Sequence, residues 1–291
     1  PMDQKRIIDE YKELVSIEVH SRDERAIADV LKEKLTALGL TVTEDKAGEA
    51  LGGNTGNLYA QLPGSADGEP VLFSAHMDRV GNHGHIVPLV KEEEGKIVSD
   101  GTSILAGDDI GGVAAILAML REVKEKQIPH GPIEVAFSVC EETGVEGSRQ
   151  YDFSKFRSKS AFVYDASGKA GTIVLAAPSK GRVTIRVHGV TAHAGNEPEK
   201  GLNALKVAAD LIMQLPDGRL SPVSTANFSI IEAGSATNVV CDLVTITGEQ
   251  RSRDAKEYQQ ISADIQAAAD RISEKYHTKI EVELHTLYHA F

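Results

Sequence analysis

The chemistry in this chain gathers where short apolar runs give way to acids and a histidine. Segment 99–112, SDGTSILAGDDIGG, carries a glycine-rich loop into two adjacent carboxylates, Asp108 and Asp109, and the apolar run 113–120 follows at once. A carboxylate at a helix start accepts backbone N–H bonds and is favoured by the helix dipole. Such a group is held in place and stays ionised, which is what a hard divalent cation asks of a ligand. Taken alone, the pattern also describes an N-cap beside a solvated neighbour. Three other segments change its meaning. His76 and Asp78 follow the apolar run 71–75, the pair Glu141 and Glu142 follows 132–139, and Asp165 follows 161–164. In open α/β sheets, ligands bind outside the carboxyl ends of the strands. Groups far apart in sequence therefore share one expected address.

A histidine with two or three carboxylates suits Zn²⁺ or a related ion. Residues i and i+2 of extended backbone point the same way, so Asp78 is placed to orient His76 rather than to ligate. Adjacent glutamates in a strand face opposite sides. One of Glu141 and Glu142 is then a ligand, and the other is free to take a proton from a metal-polarised water.

The elements that must position these residues show in the spacing of apolar side chains. Residues 3–18 and 23–38 have helical spacing, and Gly39 stops the second helix. Short strands are expected at 40–44 and 57–62, a buried strand at 71–75, further apolar strands at 132–139 and 161–164, and a helix after the central loop to 126. Segment 79–98 reads as a loop with a short hairpin, His83 and His85 facing solvent. Strands alternating with helices predict a mostly parallel sheet covered by helices. The pattern changes near Pro178. Val183, Ile185 and Val187 alternate with polar residues, as in a strand with one wet face. A helix at 201–215, strands at 226–232 and 239–249, a helix at 254–276 and a strand at 279–288 complete a β-α-β-β-α-β order, the ferredoxin-like arrangement. A boundary at 178–181 gives domains 1–179 and 180–291.

The totals bound the rest. A length of 291 residues predicts about two domains. A net charge of −12 argues against nucleic acid and anionic membrane as partners. The run 113–120 is too short to span a bilayer, and the N-terminus lacks the apolar core of a signal peptide. Cys140 and Cys241 make no disulfide framework. The chain reads as a reduced, cytoplasmic protein.

The segments SAHMDRV, SDGTSILAGDDIGG, EETGVEGS, VYDASG, TAHAGNEPEKGLNA and GSATNVV, with EQRS behind it, resemble in this order those of the M20 metallopeptidase family. The likeness is greatest to its peptidase T (tripeptide aminopeptidase) branch and covers nearly the whole chain. It implies an α/β fold: a zinc-peptidase-like mixed-sheet domain with helices on both faces, plus a ferredoxin-like α+β lid that mediates homodimerisation. It implies two divalent metal ions at one site, zinc first and cobalt or manganese as alternatives. Carried over by motif, His76 and Asp165 bind one metal, Asp108 bridges both and Glu142 binds the second. Glu141 is the general base and Asp78 the orienting carboxylate. In the lid, His193 of TAHAG stabilises the oxyanion across the dimer, and Asn238 and Arg251 hold the substrate's backbone or carboxylate. The planar fork of an arginine suits the last task.

The sequence departs from the family pattern at two points. Ile110 stands where the family usually has lysine, which removes a positive neighbour but no ligand. The chain also stops at Phe291, where the family continues with a segment that returns to the peptidase domain and donates a last histidine. His285 and His289 read as strand residues, not as that ligand. The chain therefore reads as a fragment or a natural remnant, with an open sheet edge and one metal ligand fewer. The leading expectation is a metallo-aminopeptidase for short peptides. A second reading keeps the fold and changes the substrate to an N-acyl amino acid. A third is an inactive, truncated, lid-dimerising remnant.

Overall fold

The computed structural model describes residues 2–81 and 84–291. His83 lies outside them; His85 is exposed, as expected. The chain forms two compact units, Pro1–Ala170 and Gly171–Phe291.

In the first unit the chain runs through α1 (Gln4–Val15), α2 (Arg25–Ala37), β1 (Thr41–Glu44), α3 (Ala47–Leu51), β2 (Leu58–Leu62), β3 (Val71–His76), β4 (Pro88–Lys91), β5 (Lys96–Ser99), α4 (Gly107–Glu125), β6 (Ile133–Ser138) and β7 (Ser160–Val163). The first helix starts where Asp3 caps it, accepting the N–H of Arg6. It buries Tyr11, Leu14 and Val15, and α2 buries Ile27, Ala28, Leu31 and Leu35. These side chains share a core with Val113, Ile116, Leu117 and Leu120 of α4 and with Val135 and Phe137 of β6. The sheet has the order β1-β2-β6-β3-β7, and β4 with β5 forms the expected separate hairpin.

This sheet is more evenly mixed than the run of strands and helices predicts. The pairs β1–β2 and β2–β6 are antiparallel, while β3 runs parallel to both β6 and β7. All six residues of β6 are buried, as a strand covered on both faces requires. All four residues of β7, at the sheet edge, are exposed.

The second unit holds β8 (Ser179–His188), α5 (Ala204–Ile212), β9 (Gly218–Ser221), β10 (Ser224–Ala233), β11 (Leu243–Ser252), α6 (Ala255–Tyr276) and β12 (Ile280–Tyr288). All pairings in the sheet β12-β8-β11-β10-β9 are antiparallel. Val183, Ile185 and Val187 point inward against Val207, Leu211, Ile265 and Ile272, and the alternate residues face away. Asn203 caps α5, and Asp254 caps α6 with two backbone N–H bonds. The ferredoxin-like order stands, with β9 added to it. That strand is four residues long and mostly exposed, so it has no apolar alternation to announce it. The helix α5 begins three residues later than expected because Leu202 pairs with Val190 in an isolated bridge and Asn203 takes the N-cap.

Candidate metal centre

The parallel strands set the site. In register, His76 of β3 pairs with Ser138 of β6, and Ser74 pairs with Val163 of β7. The three carboxyl ends therefore open on one side of the sheet, and segments 76–78, 139–142 and 164–165 leave from it together.

His76, the last residue of β3, is 2% exposed. Its Nδ1 lies 2.9 Å from the Asp78 carbonyl oxygen. A carbonyl only accepts, so Nδ1 carries the proton and donates it there, and Nε2 is turned to the cluster. Nε2 stands 2.9 Å from Asp108 Oδ1 and 3.9 Å from Glu141 Oε2. Asp78 is fully buried. Its Oδ1 accepts the N–H of Glu141 at 2.9 Å and lies 3.3 Å from His76 Nδ1; its Oδ2 accepts the Ser21 hydroxyl at 2.6 Å and the N–H of Glu142 at 3.2 Å. Asp78 thus touches the histidine and also pins the backbone of both glutamates. Arg79, the next residue, is buried and donates to the carbonyls of Val15, Ile17 and Val19, at and just past the end of α1.

The expected capping of α4 by Asp108 does not form. Its N-cap is Ala106, and among the described residues no side chain caps it. Asp108 and Asp109 have non-helical dihedrals and are joined by a cis peptide bond. Asp108 turns its carboxylate to His76. Asp109 is buried, and its Oδ2 accepts the N–H of His76 at 3.1 Å. Gly112 lets α4 pass close behind, since a Cβ there would overlap Asp109 Oδ1 and Tyr164. Asp109 and Ser21 are site residues that sequence reasoning did not assign.

Among the described residues, two groups have the donors a cation needs. They are His76, Asp108 and Glu142, and His76, Glu141 and Asp165; within each group the donor atoms lie within 4.8 Å of one another. The crowding shows in the titration of the acids. Burial pushes the Glu141 carboxyl up, His76 opposes this, and Asp165, Glu142 and Asp78 add to it, leaving the group at about 7. Burial, with Asp165 and Asp108 adding, raises Asp109 to about 8. Glu142 and Asp165 are raised by burial and by Asp108. Burial alone would lower His76, but Asp78, Asp109 and Asp108 outweigh it and lift the imidazole to about 10. A histidine set among carboxylates that repel one another is a donor set that a divalent cation fits and neutralises.

The remaining expected residues lie in the second unit, at two ends of its sheet. His193 is exposed, and its Nδ1 accepts the N–H groups of Gly195 at 3.2 Å and Asn196 at 3.1 Å. Backbone N–H groups only donate, so the ring proton sits on Nε2. Asn238 is brought beside it, because His193 bridges Val239 and the Asn238 carbonyl accepts the N–H of Ala194. Arg251 stands apart from both. It lies near the far end of β11, eight residues beyond Leu243, or roughly 26 Å at the rise of a strand, and its Nε donates to Glu249 at 2.7 Å.

The chain is similar to known proteins in sequence and fold. Residues 178–277 match the peptidase dimerisation domain family, and residues 57–197 match peptidase family M28. The chain is similar to the structure of aminopeptidase PepT from Bacillus cereus, at 38% identity and a TM-score of 0.92, over 100% of this chain and 78% of that one. It is similar to a tripeptidase from Staphylococcus aureus at 33% identity and a TM-score of 0.95, over 100% and 77%. It is also 36% identical over 290 residues to the uncharacterized protein YqjE of Bacillus subtilis, covering 78% of it. No described helix is long and apolar enough to cross a membrane.

Proposed function

The chain belongs to the M20 metallopeptidase family in its peptidase T-like branch and is a peptidase; from that premise we propose that it is an aminopeptidase for short peptides, tripeptides among them. The observation that carries the reading is the meeting of His76, Asp108, Glu141, Glu142 and Asp165 where the parallel strands end.

His76 and Asp165 would hold one divalent ion, Asp108 would bridge to a second, and Glu142 would complete the second ion's hold on this chain. Zinc suits the imidazole and carboxylate donors, with cobalt or manganese able to replace it. The metal pair, when bound, polarises the scissile carbonyl and acidifies water. Glu141 accepts a proton from the attacking water and passes it to the leaving amine. Asp78 keeps the His76 ring in the tautomer that offers Nε2, and it fixes the backbone from which Glu141 projects. His193 offers its Nε2–H to the oxyanion. Asn238 and Arg251 bind the peptide backbone and its carboxylate.

A tripeptide extends about 10 Å, so it does not reach both ends of β11. In the homodimer that a dimerisation domain supports, His193 and Asn238 therefore come from one copy and Arg251 from the other. We place the protein in the cytoplasm, a reading supported by two free cysteines, Cys140 and Cys241.

The test is Glu141→Gln. Turnover of tripeptides is expected to fall about 10²- to 10⁴-fold while the metal content stays the same. Unchanged turnover would remove Glu141 from the mechanism. Cleavage of acetyl-amino acids in preference to tripeptides would move the substrate to the N-acyl class.

A further inference from the structure

Behind the acidic cluster runs a layer of contacts that the peptidase chemistry does not itself use. Glu24, the residue before α2, is 0% exposed. Its Oε1 accepts the N–H of Cys140 at 3.0 Å and the N–H of Arg22 at 3.0 Å, and lies 3.6 Å from Cys140 Sγ. Among the described residues, its Oε2 has no hydrogen-bond partner. A buried carboxyl with an idle oxygen burdens the fold, so its place needs a use.

The use lies one residue away. Cys140 has φ of 50°, in the left-handed region, where a residue with a Cβ stays only when its surroundings hold it. This is the turn by which the chain leaves β6. The next two residues then give their N–H groups to Asp78 and bring their carboxylates to the donor cluster. The outer side of the turn is closed by the same N-terminal segment. The Arg22 guanidinium donates to Glu146 Oε2 at 2.8 Å, and the Thr143 hydroxyl donates to that oxygen at 2.7 Å. Gly147 completes the fit, because a Cβ there would overlap the Val139 carbonyl.

We propose that Glu24 is a positioning residue: its buried carboxylate clamps the N–H groups of Cys140 and Arg22, and the clamp sets where Glu141 and Glu142 stand. The inference rests on the reading of Glu141 as base and Glu142 as metal ligand. Glu24→Ala removes the acceptor, while Glu24→Gln keeps a carbonyl oxygen at the same reach. In Glu24→Ala, kcat for a tripeptide is expected to fall about a hundredfold with KM within about threefold. The visible absorption of the Co²⁺-loaded protein should change with it, because the ligand geometry changes. Glu24→Gln should keep wild-type kcat and spectrum. Wild-type kcat and spectrum in Glu24→Ala would overturn the proposal. Equal damage in Glu24→Gln would overturn it too, since charge rather than acceptance would then matter. Should Glu24→Ala not fold, Glu24→Asp withdraws the carboxyl by one methylene. A changed cobalt spectrum there supports the clamp, and an unchanged one overturns it. If the wild type binds Co²⁺ but cleaves no peptide, the peptidase reading fails, and the spectra alone decide for or against Glu24.

Discussion

His76 and His193 are the same side chain fixed in opposite senses. In the first unit, the Nδ1–H of His76 is donated to the Asp78 carbonyl, and Nε2 is turned to the carboxylates of Asp108 and Glu141. In the second, Nδ1 of His193 receives two backbone N–H groups, and Nε2 keeps the proton. In the function proposed above, one ring gives up its Nε2 proton to hold a cation and the other keeps it to meet an anion. The surroundings follow the same division. The His76 site is buried and acidic, and its parts hold one another. His193 and Asn238 are exposed and rest on loop backbone, as groups that receive a diffusing substrate must. The role of a histidine is thus decided by what occupies its other nitrogen.

The comparison breaks first at His193. His193→Ala is expected to lower kcat about 10²- to 10³-fold with metal binding unchanged; loss of metal from this variant would erase the division between the two rings. Arg251→Ala is a smaller change, raising KM about 10- to 100-fold with little effect on kcat. Mixing these two inactive or weakened variants sharpens the point. If the residues come from different copies, each mixed dimer holds one site with both intact, and activity returns. If one copy supplies both, mixing restores nothing.

Metal affinity tests the other ring. Ligands must shed protons before a cation binds. His76 is raised to about 10, so below that value a proton competes with the cation for Nε2. Titration with Zn²⁺ should show affinity falling by at least about tenfold per pH unit between 8 and 6. A flat profile would mean that His76 does not meet the ion.

The smallest effect is expected away from both histidines. Glu44 accepts from Arg25 twice, at 2.5 and 3.0 Å, and from Lys32, Thr55 and the N–H of Gly56. These donors, Arg25 first, hold its carboxyl well below the ordinary 4.5. A depressed folded value stabilises at pH above the unfolded one and is lost as pH falls toward the folded one. Glu44→Gln should cost about 1–3 kcal/mol at pH 7, and the gap from wild type in urea denaturation should narrow below pH 4.5. A gap that stays constant to pH 3 would show that the charge contributes nothing, and turnover should be untouched throughout.

Much of this was legible in the sequence because it is written in contiguous residues. Apolar runs ending in His76, Glu141 or Asp165 name both a strand and what stands at its end. Alternation at Val183, Ile185 and Val187 names a half-wet strand. What escaped has no local signature. Glu24 looks like a solvated acid in a charged stretch, and its partner Cys140 is 116 residues away. Asp109 is indistinguishable from Asp108 until the dihedrals send one to the ring of His76 and the other to its backbone. The antiparallel half of the first sheet depends on pairing, which strand-by-strand periodicity does not encode. For His193, Asn238 and Arg251, composition and spacing were silent, and only the likeness to a family named them.

The three carbonyls held by Arg79 carry one more consequence. The planar fork of Arg79, the residue after Asp78, spans the end of α1 and the segment just past it and works as a strut. A tilt of the helix would be passed through these bonds to the backbone beside the acid. A lysine at position 79, with a single tip in place of the fork, would leave that linkage slack.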